Sequence, residues 1–286
     1  SLPVLNKQVV EYAMAVGLAT NCEINRKNIF DRKNYFYPDN PQNYQISQLY
    51  LPICRNGHVE IDVDGKKKQI RIERIHMEED TAKQFHKETG TYIDFNRAGT
   101  PLIEIVSKPD MHSAKEAAAY VETLRKNLLY LNVSDVKMEE GSMRCDVNIS
   151  LSKDKDTLGT KTEIKNLNSI ANVQKAVQAE IERQSALLDA GEKVEQATRR
   201  YDEAQKTTIL MRKKEGNVDY KYFPEPNIFP IQLDLDWVKS IQDNLEELPD
   251  ARLARFMKDY ELGEYDASVL VSDREMADFF EEVLKS

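Results

Sequence analysis

Carboxylates are the residues through which this chain could do chemistry. Glu79, Glu104, Glu139, Glu140, Asp146 and Glu163 recur in or beside short, apolar, strand-prone segments. Lys33, Arg97, Arg144, Lys161 and Arg199 supply candidate counter-charges. Oxygen donors without cysteine ligands, in a chain with four histidines, suit a hard cation such as Mg²⁺ or Mn²⁺. Magnesium commonly arrives with phosphates, so phosphoryl transfer from a nucleotide is the sharp reading. The sequence holds neither a Gly-x-x-x-x-Gly-Lys-Ser/Thr loop nor a kinase catalytic-loop pattern. An ATP site would therefore be a sheet cradle, with carboxylates and arginines on strands holding metal and phosphates. The plain alternative is a salt-bridged strand face without a ligand, since isolated carboxylates specify a site weakly.

These side chains need elements to aim them. Period-two alternation in Pro101-Leu102-Ile103-Glu104-Ile105-Val106 puts Leu102, Glu104 and Val106 on one face and Ile103 and Ile105 on the other. A carboxylate among aliphatic neighbours is costly to bury unless it is paired or binds a metal. Upstream, residues 57–63 and 69–74 flank Asp64-Gly65 and predict an antiparallel hairpin leading into His76-Met77-Glu78-Glu79-Asp80. Residues 81–90 read as a polar loop over the site, with a strand starting at Tyr92. Residues 30–41 mix aromatics, charges and prolines without a period and read as a loop or short strand ends.

Residues 135–138 and 142–151 read as strands. In the second, Arg144, Asp146, Asn148 and Ser150 share one face while Met143, Cys145, Val147, Ile149 and Leu151 share the other. A wholly polar strand face meets solvent or lines a polar cleft. Glu139-Glu140-Gly141 at its entry and the matching strand at 160–165 favour the cleft. Helices are expected from Asn6 to about Cys22, from Ser113 with Glu116 at the capping-box position, and from Ser169 to Leu188, closed by Ala190-Gly191. The inner stripe of the last is Val173, Val177, Ile181 and Leu188. Residues 196–202 and 207–212 predict a further hairpin, and from Asp236 onward the pattern is helical, with breaks at Pro249 and Gly263.

His76 beside strands reads as a satisfied structural residue, with ligand or base as the sharper option. Cys145 falls on the apolar face and reads as an inert core thiol. The 286 residues, 41% hydrophobic and 31% charged, describe a soluble globular chain. No apolar run approaches a bilayer-spanning length and the first residues lack a signal-peptide pattern, so a reducing cytoplasm is expected. Three cysteines without a Cys-x-x-Cys pair argue against a zinc knuckle or a disulfide framework. A net charge of −9 argues against nucleic-acid binding by bulk electrostatics but leaves room for local basic faces at Lys66-Lys67-Lys68 and Arg212-Lys213-Lys214. The absence of an initiator Met and the end within a helical pattern lead us to expect a fragment.

Six stretches then read as successive motifs of one family. They are residues 30–39 (Phe-Asp-Arg-Lys-Asn-Tyr-Phe-Tyr-Pro-Asp), 76–80 (His-Met-Glu-Glu-Asp), 101–107, 135–142, Lys165-Asn166-Leu167-Asn168-Ser169 and Tyr220-Lys221-Tyr222-Phe223-Pro224-Glu225-Pro226. In order and over essentially the whole chain, they resemble the B subunit of the aspartyl/glutamyl-tRNA amidotransferase. The resemblance implies an α+β fold, an antiparallel-sheet cradle similar to the glutamine synthetase/guanido kinase fold over 1–230, with the beginning of a helical domain over 231–286. It implies ATP and Mg²⁺ as cofactors, and phosphorylation of the side-chain carboxylate of Glu misacylated on tRNA(Gln) or Asp on tRNA(Asn). Ammonia channelled from a glutaminase A subunit would then displace the phosphate, with a small C subunit completing the assembly. By motif position, Glu79, Glu104 and Asp146 would be metal ligands. Lys33 would lie on the ammonia path or near the transferred group, Arg97 near the phosphates, and Glu139 and Arg144 at the nucleotide.

The family pattern begins with a Gly-Leu-Glu-Val-His strand whose Glu and His belong to the same site. It ends with a tail domain that contacts tRNA, and both fall outside this sequence. Two function classes therefore stand side by side, with a magnesium-dependent small-molecule ligase as a third. One is an ATP-dependent ligase subunit acting on aminoacyl-tRNA, the other a non-catalytic scaffold docking the glutaminase subunit and tRNA. The first expects Glu79, Glu104 and Asp146 to converge on a metal. The second expects them to diverge or pair with Arg and Lys.

Overall fold

Asp64 and Gly65 both sit at positive φ, 53° and 80°, as the two-residue turn of a tight hairpin requires. Asp62 Oδ1 accepts from the Gly65 amide at 3.0 Å and fixes the corner. The strands it joins are the longest in the structure, β5 (Cys54–Val63) and β6 (Lys66–Glu79). The computed structural model describes residues 7–28, 31–34, 44–47, 51–79, 83–87, 90–94, 101–134, 136–213, 221–224 and 231–286. These residues form an α+β structure of mainly antiparallel sheets, and they divide into two compact units.

The first unit takes residues 1–59, 69–108 and 218–248. Its main sheet has the order β1-β5-β6-β9, with β1 (Glu23–Ile24) and β9 (Pro101–Ser107) at the edges. Helix α1 (Lys7–Ala19) lays Val10, Ala13, Met14 and Val16 into a core shared with Ile53, Cys54, Ile70, Ile72 and Ile75. Gly17 permits this contact, because a Cβ there would run into the Cys54 thiol. A second sheet, β14-β3-β4, joins β3 (Asp31–Asn34) to β4 (Tyr44–Ser47) and to β14 (Lys221–Pro224), with Lys221 opposite Asn34. Two small pairs complete the unit. In one, β2 (Lys27–Asn28) meets β15 (Ile231–Gln232); in the other, β7 (Lys83–Lys87) meets β8 (Gly90–Asp94). Helix α4 (Leu235–Asp243) is tied to α1 by a hydrogen bond from Trp237 Nε1 to Glu11 at 3.0 Å.

The second unit takes residues 60–68, 109–217 and 249–286. Helix α2 (Ala114–Tyr130) starts at Ser113, whose hydroxyl accepts from the Glu116 amide at 3.1 Å. The Glu116 carboxylate reaches back to the His112 amide at 2.7 Å, one residue further than a standard capping box. β10 (Val147–Ile149), β11 (Thr162–Lys165), β12 (Ala197–Asp202) and β13 (Thr207–Lys213) form one sheet in chain order. β11 and β12 run parallel, connected through α3 (Ile170–Asp189). Ser169 caps α3 through the Asn172 amide, and Gly191 at φ 75° closes it with bonds from Gly191 N to Leu188 O and from Glu192 N to Leu187 O. α5 (Pro249–Asp259), α6 (Glu264–Val271) and α7 (Arg274–Lys285) pack Phe256, Ala267, Val271 and Ala277 with Tyr130 of α2. Pro249 is the first residue of α5, where its missing N–H costs nothing.

Three expectations change. Residues 83–87 form strand β7 where a polar loop was expected, pairing antiparallel with β8 (Gly90–Asp94), which includes the strand expected from Tyr92; the backbone ladder between them outweighs the local polarity. No strand forms at 136–138, the described part of the strand expected at 135–138. Val136 sits at φ 47°, outside any strand conformation, and a 3₁₀ turn follows over Met138–Glu140, closed by Gly141 at φ 79°. The strand expected at 142–151 shortens to Val147–Ile149, although exposure still alternates from Ser142 to Asn148.

Candidate functional site

Two groups of polar side chains stand out, one in each unit. In the first unit β6 and β9 pair with His76 opposite Glu104, Met77 opposite Ile103, Glu78 opposite Leu102 and Glu79 opposite Pro101. His76 is buried, and its Nε2 lies 3.3 Å from Glu104 Oε2, whose side chain is 49% exposed. The arrangement joins an imidazole held in the core to a carboxylate that reaches solvent. Sheet periodicity makes both predictable in part, since cross-strand partners share a face. His76 is buried as a structural residue would be, and the carboxylate it faces is one of the candidate ligands.

The other candidates of this unit are placed only by backbone. Glu79 ends β6, where the register gives it the parity of Met77, whereas Glu78 has the parity of His76. Lys33 lies in the middle strand of the three-stranded sheet, opposite Gln45 and Tyr222. The side chains of Lys33, Glu78 and Glu79, and all of Arg97, fall outside the described residues.

In the second unit, α3 covers one face of the β10–β13 sheet and the other face is polar. Lys165 is its centre, with Nζ 3.2 Å from Glu163 and 3.8 Å from Asp146. Asn148 pairs with Glu163 across β10–β11, and Thr198 pairs with Glu163 across β11–β12. The Thr198 hydroxyl is buried without a hydrogen-bond partner among the described residues. Further along β12, Arg200 Nη1 lies 3.6 Å from Asp202. This is the polar strand face read from the sequence, and it brings together Asp146, Glu163 and Lys165. Arg144 and Glu139 are both exposed, Glu139 on the 3₁₀ turn. Cys145 is half-buried rather than the core residue expected, although burial, with Asp146 adding to it, pushes its thiol up to about 12.

Arg199 belongs elsewhere. It points to the α3 side, donating to the Thr208 hydroxyl and carbonyl, both at 2.9 Å, with Glu180 at 3.8 Å. Glu180 is fully buried and accepts from Arg183, from Gln184 at 2.9 Å and from Thr208 at 2.8 Å. Burial raises its carboxyl, but the hydrogen bonds from Arg183, Gln184 and Thr208 outweigh that and hold it below the ordinary range. Gln184 also accepts from the Leu151 amide at 3.2 Å and donates to Thr162 at 3.3 Å, so the cluster clamps α3 to the strands beneath the polar face. Sequence reading missed it. The available signal was that Glu180 and Gln184 interrupt the apolar stripe begun by Val173 and Val177.

The Lys66-Lys67-Lys68 face is also largely answered by acids. Lys67 lies 3.9 Å from Glu60, and Lys68 lies 3.1 Å from Glu116. Among the described residues no group of three or more His, Cys, Asp or Glu side chains is gathered to hold a metal ion.

The sequence profile of the GatB/GatE catalytic domain matches residues 1–239. The chain belongs to that family. The B subunit of the aspartyl/glutamyl-tRNA(Asn/Gln) amidotransferase of Agathobacter rectalis is 56% identical over 288 residues, covering all of this chain and 61% of that protein. The proteins of the same name from Oceanobacillus iheyensis and Geobacillus kaustophilus are each 55% identical, over 99% and 98% of this chain and 60% and 59% of theirs. The chain thus spans about three-fifths of the length of these GatB/GatE relatives.

Proposed function

We propose that this chain is the phosphorylating part of the B subunit of a tRNA-dependent amidotransferase. It would act on the side-chain carboxylate of Glu on tRNA(Gln) or Asp on tRNA(Asn), with ATP as phosphoryl donor. The observation that carries the reading is the match of residues 1–239 to a catalytic-domain family whose relatives bear that name. A carboxylate is inert to ammonia. Transfer of the γ-phosphoryl group onto its oxygen forms a C–O–P link and releases ADP. The ammonia lone pair then attacks the carbonyl carbon, the C–O bond breaks, phosphate leaves, and the amide forms once a proton is lost.

The protein's share is positioning two anions and neutralising them, which can supply most of the rate of a phosphoryl transfer. Lys33 and Arg97 are the cations assigned to the reacting groups. Magnesium, if bound, would supply positive charge to offset that of the phosphates. The half-exposed Glu104 carboxylate suits a hard cation, with Glu79 as the other candidate ligand of the first unit. Asp146 currently faces the Lys165 ammonium, which a cation there would have to displace. That same ion pair favours a second reading, in which this piece is a scaffold docking the glutaminase subunit and tRNA.

The wider proposal follows the relatives' name. It comprises a cytoplasmic assembly with A and C subunits, a cradle of the glutamine synthetase/guanido kinase type, Glu139 and Arg144 at the nucleotide, and a helical domain beginning within 231–286. From Leu235 on, the described elements are all helices, the profile match stops at 239, and no described helix is long and apolar enough to cross a membrane. Isothermal titration of Mg-ATP is the test, with Glu104→Gln, Glu78→Gln and Glu79→Gln as controls. Binding weakened at least tenfold by Glu104→Gln and by one of the other two supports the kinase reading and selects the ligand on β6. A folded chain that binds no Mg-ATP leaves the scaffold.

A further inference from the structure

The parallel pair β11 and β12 ends beside the start of α3, at the carboxyl ends of both strands. In open parallel sheets ligands bind in that crevice. Here it is a pocket of about 230 Å³ lined by Asn166, Asn168, Asn172, Arg200, Tyr201, Asp202 and Glu203. Asn172 is 6% exposed, and its amide nitrogen donates to Asn168 Oδ1 at 2.7 Å and to the Glu203 carboxylate. Because both neighbours are acceptors, the orientation of this amide is fixed. Its carbonyl oxygen receives no donor among the described residues, and the pocket is where one can reach it. Asp202 is 20% exposed, with Oδ1 accepting from the Gln205 amide at 2.9 Å. Its Oδ2 stands 3.6 Å from Arg200, beyond hydrogen-bond reach, and keeps capacity for another donor.

The walls decide the ligand class. Two carboxylates against one guanidinium disfavour a bare anion. Tyr201, the aromatic residue of the lining, is only 4% exposed, so amide and carboxylate side chains dominate the walls and leave no broad platform for stacking a base. Acceptors with spare capacity on Asn172 and Asp202 call for adjacent O–H donors. The volume lies below the range of drug-sized ligand pockets and suits a sugar ring whose substituents project outward.

We propose that this pocket takes the ribose of a ribonucleotide, its hydroxyls donating to Asp202 and Asn172, with Arg200 at the rim facing the attached phosphate. Carboxylate recognition of ribose hydroxyls at the carboxyl end of a parallel strand is a recurrent solution in α/β proteins. The 2′-hydroxyl also distinguishes RNA from DNA. The proposal is independent of the phosphorylation reading, and its ribose could belong to a free nucleotide or to an RNA strand.

The test titrates metal-free AMP and, separately, riboadenylate trinucleotide into the ¹⁵N-labelled chain, each beside its 2′-deoxy counterpart. Side-chain amide resonances of Asn168 and Asn172 are the readout, since they report this pocket whether or not Mg-ATP binds elsewhere. Saturable movement is expected, with affinity falling at least tenfold on removal of the 2′-hydroxyl and again in Asp202→Asn, which keeps the acceptor for Gln205. A response to AMP identifies a free nucleotide, and a response to the trinucleotide alone identifies an RNA strand. Still resonances with both probes, equal affinity for ribo and deoxy forms, or an indifferent Asp202→Asn would each overturn the proposal.

Discussion

Glu281 on α7 concentrates more charge than any other described carboxylate of the helical region, and its removal should be felt throughout that region. Its Oε1 accepts from Arg252 Nη2 at 2.9 Å and from Arg255 Nη2 at 2.6 Å, and its Oε2 from Arg255 Nη1 at 2.7 Å and the Tyr260 hydroxyl at 2.8 Å. Hydrogen bonds from Arg255 first, with Tyr260 and Arg252 adding and burial opposing, pull its carboxyl from 4.5 down to about 2. A displacement of that size favours the charged form by roughly 3 kcal/mol. Arg255 is 33% exposed, so screening brings the net contribution nearer ~2 kcal/mol. Glu281→Gln should therefore lower the melting temperature by about 4–8 °C at pH 7. The sign with pH is fixed. The native carboxyl lies below its unfolded value, so the stabilisation is whole above about 4.5 and fades as pH falls toward about 2. Melting curves of both proteins between pH 7 and pH 3 should converge on the acid side. A gap that stayed constant across that range would refute the reasoning and assign the loss to packing.

Two further outcomes follow from the core. Gly17→Ala forces a methyl into the Cys54 thiol and should cost about 1–3 kcal/mol in urea unfolding, against a Gly→Ala gain expected in an unobstructed helix. Cys145 should resist iodoacetamide at pH 8 in the folded chain and react once denatured, because burial holds its thiol near 12; rapid native labelling would contradict that burial.

The parts legible in the sequence were those determined within a few residues. Ser113 with Glu116, Ser169 with Asn172, Gly191 after α3 and Asp64-Gly65 between strands each act on backbone groups at short range, so their spacing suffices. The polar face of Asp146 and Glu163 was legible for a similar reason, since alternation alone puts them on one side. Its central cation was not, because Lys165 meets Asp146 only through the β10–β11 register. Arg199 was misassigned for the same cause. Its face depends on α3 and on the irregular pairing between Thr198 and Arg199, neither of which local pattern reports. At 136–138 the alternation of Val136 and Met138 about Lys137 suits a strand, but the positive φ at Val136 and Gly141 prevails.

The pairing of β3 with β14 has a consequence for how this chain is made. Lys221 bonds to the strand at Asn34, so one edge of β3 waits for a segment roughly 190 residues downstream. At a synthesis rate of about 5–20 residues per second, that edge emerges unpaired for roughly 10–40 s. The first unit cannot close on the ribosome before most of the second has already been produced. Slow translation or pausing before Lys221 would prolong the exposure of an open strand edge, the kind of surface that invites intermolecular pairing.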